Sequence, residues 1–276
     1  MTQRLKHTFE KLKKQNASAL VGFVTAGDPN PTESLNIILA MCDAGLDVLE
    51  LGIPFSDPTA DGPVIQRSSA RALTRGGNVS AVLDLTRRLR NRIQIPIILF
   101  TYYNPILAYG IRPFYEDAAS SGADGILVVD LPPEESHEMT AMAPADPLPL
   151  IRLIAPTTPP ERMGMIARDG AGFLYMVSKT GVTGSGGLDT NEIRHQLKAL
   201  RTVTSLPVCV GFGISTPADV ASVSAIADGV VVGSAFERLI EENLGNPELP
   251  SRMGRKVAEF KAATGRDEAE GVGSKP

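Results

Sequence analysis

Eight short runs of apolar and β-branched residues recur along the chain, and the helix-length segments between them restrict the fold more than any other feature. The runs are Leu20 to Val24, Val48 to Leu51, Ile97 to Thr101, Gly125 to Val129, Leu150 to Ile154, Phe173 to Val177, Val208 to Val210 and Gly229 to Val232. The intervening segments include Thr32 to Ala44, Val79 to Arg92, Pro113 to Ser121, Glu134 to Met142, Pro160 to Asp169, Leu188 to Arg201 and Pro217 to Ser224. Strand followed by helix, repeated, implies a parallel sheet with crossover helices. Glycine-bearing turns such as Ala44-Gly45, Ser121-Gly122-Ala123-Asp124 and Asp169-Gly170-Ala171-Gly172 lead into several strands, as helix C-caps do.

The pattern therefore predicts an α/β chain closed into a (β/α)8 barrel, the TIM-barrel architecture, as one domain over residues 1–276. An extra N-terminal helix is expected over residues 1–16, a short helix over Ala235 to Asn243 after strand eight, and a flexible tail over 265–276. A doubly wound open sheet fits less well, because no glycine fingerprint opens the first crossover helix. Ile53 to Gly76, rich in polar and turn residues, reads as a long loop after strand two.

An apolar fraction of 43% and a charged fraction of 21% allow a core that needs no metal or disulfide support. Cys42 and Cys209 are isolated and read as buried thiols. His7, His137 and His195 share no metal-ligand spacing, so no metal site is expected. Nor does a histidine stand near a serine nucleophile motif, which speaks against a hydrolase. Arg4, Lys6, Lys11, Lys13 and Lys14 precede no apolar run, and nowhere do 18 apolar residues follow one another, which predicts a cytoplasmic protein with no membrane contact. A net charge of −4 argues against general nucleic-acid binding.

In a barrel of this kind chemistry collects on the loops after the strands. Glycine-rich turns follow strands six, seven and eight: Gly181 to Gly187, Gly211-Phe212-Gly213-Ile214-Ser215 and Gly233-Ser234-Ala235. Glycine lets backbone N–H groups approach an anion, and a helix N-terminus adds unpaired donors, so the three together point to a phosphorylated ligand. Within Val48-Leu49-Glu50-Leu51-Gly52, alternation puts Val48 and Glu50 on one face and the leucines on the other. With the leucines against the helices, Glu50 points into the barrel, where burial would raise its pKa and suit it to proton transfer; a structural ion pair is the alternative. Asp57 and Asp61 follow in the next loop, where either could cap a turn or face a substrate, and Asp130 ends strand four.

The stretch Leu49-Glu50-Leu51-Gly52-Ile53-Pro54-Phe55-Ser56-Asp57-Pro58-Thr59-Ala60-Asp61-Gly62-Pro63-Val64-Ile65-Gln66 closely resembles the signature of the tryptophan synthase alpha chain family. The likeness continues, in the family's order, through Thr101 to Pro105, Asp130 to Glu135, Ile154 to Thr158, Gly181 to Gly184, Gly211 to Ser215 and Gly233-Ser234.

The resemblance implies retro-aldol cleavage of indole-3-glycerol phosphate to indole and glyceraldehyde 3-phosphate, with no cofactor in this chain. It assigns Glu50 as the acid/base that protonates the indole ring carbon and assists deprotonation of the glycerol hydroxyl, and Asp61 as partner of the indole N–H. It places Phe23, Phe100, Tyr175 and Phe212 on the indole wall, Thr183 beside Asp61, and Gly184, Gly213, Gly233 and Ser234 at the phosphate. It further implies a beta chain carrying pyridoxal phosphate, met through Pro54, Asp57 and Asn104 in an alpha2-beta2 heterotetramer, with indole passing between subunits. The segment Lys179 to Leu188 would close over substrate. Lys179 stands where the family commonly has Arg, and Thr59 where it commonly has Leu. Rival readings are a Schiff-base aldolase using Lys179, a lyase that needs no partner, and a catalytically silent activator of the beta chain.

Overall fold

A computed structural model describes residues 2–145, 147–178, 188–211 and 213–266. The chain opens with α1 (Gln3–Lys14), β1 (Ala19–Thr25), α2 (Pro31–Asp43), β2 (Val48–Gly52), α3 (Pro63–Thr74) and α4 (Val79–Arg90). It continues through β3 (Ile97–Thr101), α5 (Tyr103–Tyr109), α6 (Ile111–Ser121), β4 (Gly125–Val128), α7 (His137–Ala141), β5 (Leu150–Ile154) and α8 (Pro160–Arg168). The last part holds β6 (Leu174–Val177), α9 (Thr190–Arg201), β7 (Val208–Gly211), α10 (Pro217–Ser224), β8 (Gly229–Val232), α11 (Ser234–Glu242) and α12 (Leu249–Ala262).

The strands pair in parallel and in sequence order, and β8 returns to β1, so the sheet closes into a barrel of eight strands. Alternation along each strand divides the core in two. Leu20, Leu49, Leu51, Leu99 and Ile126 face outward against the helices, while Val21, Val48, Ile98, Leu127, Ile151, Cys209 and Val231 fill the interior. Leu5, Phe9 and Leu12 of α1 join that interior cluster, with the Phe9 and Phe173 rings 5.8 Å apart, so the leading helix plugs the end where the strands begin. The opposite end is left open to ligands.

Four helices depart from the reading of the sequence. The segment Ile53 to Gly76, expected as a loop, holds α3 in its second half, begun by Pro63 in its first turn. Its buried face consists of Ser68, Ser69 and Ala72, too small and polar to show as an apolar stripe. Neither α5 nor α12 was anticipated, although α12 buries Leu249, Met253, Val257 and Phe260 at helical spacing. Conversely α7 is shorter than Glu134 to Met142, because residues 132–136 form turns in which the Ser136 N–H donates to the carbonyls of Pro132 and Pro133. Elsewhere the expected strands and helices agree to within two residues at each end. No described helix is long and apolar enough to cross a membrane.

Candidate active site

A cavity of about 820 Å³ opens at the C-terminal ends of the strands. Phe23 from β1, Phe100 from β3, Tyr175 from β6 and Val231 from β8 form its barrel side, and Asp61, Val64 and Ile65 close it from the segment after β2. The Phe23 and Phe100 rings meet edge to face with centroids 5.0 Å apart, a packing that holds both rings firmly. Most of the lining is apolar, with Asp61, Asp130, Arg152, Arg162 and Arg238 among the exceptions.

Glu50 lies within the barrel in register with Phe23 on β1 and Ile98 on β3, as alternation along β2 requires. It is 1% exposed, and its Oε1 has no hydrogen-bond partner among the described residues. Burial alone pushes its carboxyl up to about 8. Burial is the sole cause of that rise, so among the described residues Glu50 has no cation for a partner, and its environment favours the protonated form.

Asp61 sits on the cavity wall in a different setting. Burial raises it to about 6, and a hydrogen bond donated by the Tyr102 phenol opposes that rise. The same phenol oxygen accepts the N–H of Ala60 at 3.0 Å, so one residue at the end of β3 pins the loop that carries the carboxylate. Tyr102 was inside a recognised motif but received no role from sequence; its function shows only when β3 and the β2 loop lie side by side.

Tyr175 lines the cavity, and its phenol is pushed well above its usual value by burial first and then by the neighbouring Glu50. Gly213, Gly233 and Ser234 also line the cavity. Gly213 has φ +75°, a conformation that favours glycine, and Gly233 with Ser234 forms the start of α11. Backbone N–H groups in the first turn of a helix have no partner within the helix and suit an anion. Arg238, one turn further along α11, also lines the cavity, as does Arg162, whose guanidinium is engaged by Glu134.

Asp130 accepts the Tyr103 N–H at 2.7 Å and so orients the chain after β3, while still edging the cavity. Pro54 is buried, whereas Asp57 and Asn104 are exposed outside the cavity lining; Asp57 is bonded to Ser56 at 2.5 Å. Thr183, Gly184, Phe212 and Lys179 lie outside the described residues. Among the described residues no group of three His, Cys, Asp or Glu side chains could hold a metal ion.

A closed parallel barrel of eight strands with a ligand-sized cavity at the C-terminal strand ends defines the (β/α)8-barrel enzymes. The profile of one such family, the tryptophan synthase alpha chain, matches residues 9–265, and the chain belongs to that family. The tryptophan synthase alpha chain of Desulfosudis oleivorans is 59% identical over 261 residues, covering 95% of this chain and 98% of the relative. The crystal structure of tryptophan synthase subunit alpha from Legionella pneumophila str. Paris superposes with a TM-score of 0.87 at 38% identity, covering 96% of this chain and 99% of that one. An aminoacrylate- and BRD0059-bound tryptophan synthase from M. tuberculosis superposes with a TM-score of 0.86 at 29% identity, covering 97% of this chain and 100% of that one.

Proposed function

We propose that Glu50 and Asp61 carry the reaction of this family in this chain, the retro-aldol cleavage of indole-3-glycerol phosphate to indole and glyceraldehyde 3-phosphate. The observation that carries the assignment is a buried carboxyl on β2, beside the cavity-lining Phe23 and Tyr175, together with a second, tyrosine-held carboxylate on the cavity wall in the loop that follows. Their environments push them to about 8 and about 6, so near neutrality one is an acid and the other an anion.

Glu50 donates its proton to the indole carbon that bears the glycerol chain, and the ring becomes a cationic indolenine. Asp61, ionised, accepts the indole N–H and stabilises that charge as it develops. Glu50, now a carboxylate, takes the proton of the hydroxyl on the adjacent chain carbon. The carbon–carbon bond breaks, its electron pair restores the aromatic ring, and the hydroxyl carbon leaves as the aldehyde. Protons balance within the cycle, and no cofactor in this chain is needed. Phe23, Phe100 and Tyr175 hold the indole, with Phe212 and Thr183 completing its surroundings. Gly213, Gly233 and Ser234, with Gly184, take the phosphate.

Indole passes to a beta chain that carries pyridoxal phosphate, in an alpha2-beta2 assembly in the cytoplasm. The exposed Asp57 and Asn104, with Pro54, belong to the face that meets it. The test is release of indole from indole-3-glycerol phosphate by the purified chain, alone and with a beta chain. Slow cleavage accelerated by the partner and lost in Glu50→Gln supports this reading; no cleavage in either condition overturns it in favour of a silent activating subunit.

A further inference from the structure

Glu237 of α11 is fully buried, and nothing in the proposed chemistry uses it. Its position follows from how β1 ends. Along β1, N–H groups alternate sides: Ala19 donates to Asp228 on the β8 side, and Ala26, just past the strand, donates to Gly52 of β2. The odd-numbered Thr25 N–H therefore points toward β8. The ladder between β1 and β8 stops at Gly22 opposite Val232, after which β8 turns through Gly233 into α11. No strand carbonyl remains for Thr25, and an unpaired buried N–H is costly. Glu237 Oε1 accepts it instead, at 2.5 Å.

The same carboxyl ties α11 into a wider set of contacts. Asp28, just beyond β1, lies beside Glu237 and is gripped by both ends of the Arg71 guanidinium, at 2.8 and 2.7 Å. Arg71 of α3 also holds Glu241 of α11 at 3.0 Å, and the Thr25 and Ser68 hydroxyls join β1 to α3 at 2.7 Å. Burial first, and then the Asp28 carboxylate next to it, raises the Glu237 carboxyl above the ordinary range. One turn before Glu237, Gly233 runs close to Phe23: a Cβ there would lie 3.4 Å from Phe23 Cβ.

We propose that Glu237 is a positioning residue for the anion end of the cavity. By completing the β1 ladder it sets where the first turn of α11 stands above Phe23, and so where the Gly233 and Ser234 N–H groups hold a phosphoryl group. The proposal rests on the reading of this edge as the phosphate site.

The experiment measures calorimetric binding of glycerol 3-phosphate, together with kcat and KM for indole-3-glycerol phosphate, in the full chain with its beta partner. Glu237→Gln keeps the acceptor, Glu237→Leu removes it, and Glu237→Asp shortens its reach. Expected are glycerol 3-phosphate Kd and substrate KM raised about tenfold in Glu237→Leu and about threefold in Glu237→Asp, with kcat within about threefold and Glu237→Gln within about twofold of the parent. If the leucine variant fails to fold, the aspartate variant decides alone. Unchanged Kd in a folded Leu or Asp variant overturns the proposal, as does a loss in Gln equal to that in Leu. A parent enzyme that neither binds glycerol 3-phosphate nor cleaves substrate would instead bring down the functional reading itself.

Discussion

Tyr102 donates its phenolic hydrogen to Asp61 Oδ2 across 3.0 Å, while its oxygen accepts the Ala60 N–H. The carboxylate proposed to face the indole N–H is thus oriented by the end of β3 rather than by its own loop. Two opposed effects set its pKa: burial raises it, and the tyrosine favours the charged form and lowers it.

Removing that hydroxyl has a signed consequence. In Tyr102→Phe the burial effect stands unopposed, so the acid limb of kcat/KM against pH, which lies near 6 in the parent, should move up by about half a unit or more. Activity at pH 6 should fall about three- to tenfold while activity at pH 7.5 falls less. An acid limb that stays in place would show that Asp61 is not the ionising group or that Tyr102 does not control it.

Glu50 supplies the opposite limb. Its carboxyl is raised from 4.5 to about 8, so the folded state favours the protonated form. Its stabilising contribution is complete below the unfolded value and is lost as pH climbs through the folded one. Glu50→Gln should lower kcat about 10²- to 10⁴-fold. It should also gain on the parent in urea-melt stability by an amount on the order of 3 kcal/mol between pH 5 and 8. A variant whose stability tracks the parent at every pH would contradict a neutral, buried Glu50.

Much of this was legible in the chain. The β-branched runs set the strands because a strand buried on both faces needs apolar residues at every position, and Glu50 stood out as the one charged residue within such a run in β2. Helix α3 escaped notice because Ser68 and Ser69 are buried by hydrogen bonding to Thr25 and Phe55 rather than by hydrophobicity. The Asp28, Arg71 and Glu241 contacts were equally hidden. They join residues 43 and 170 positions apart and exist only once the barrel closes. Tyr102 lay in plain view, but its partner is 41 residues away.

Gly211 tests the wall of the cavity. A Cβ at this position would sit 2.3 Å from the Tyr175 hydroxyl and 2.9 Å from Val231 Cβ. Gly211→Ala should therefore push Tyr175 out of place, lowering stability by about 1–3 kcal/mol. Its kcat/KM should fall at least about tenfold, because misplacing a substrate-positioning group costs rate. Retention of full activity would mean that Tyr175 does not position the substrate.

The end of the barrel remote from the cavity should separate stability from activity. Asp124, fully buried just before β4, accepts from Arg90 at 2.7 Å, from Arg4 at 3.0 Å and from the Ile97 N–H at 3.1 Å. Arg90 in turn donates to the carbonyls of Gly122, Ile93 and Ile95, so this one pair closes the turns that feed β3 and β4. Asp124→Ala leaves a largely buried guanidinium without its counter-charge, a loss of about 3–5 kcal/mol. None of these residues lines the cavity. At a temperature where the variant remains folded, kcat and KM should lie within about twofold of the parent, while the urea midpoint drops sharply. A fall in kcat without loss of stability would mean that the two ends of the barrel are coupled through the strands, and that Asp124 acts on the site rather than only on the fold.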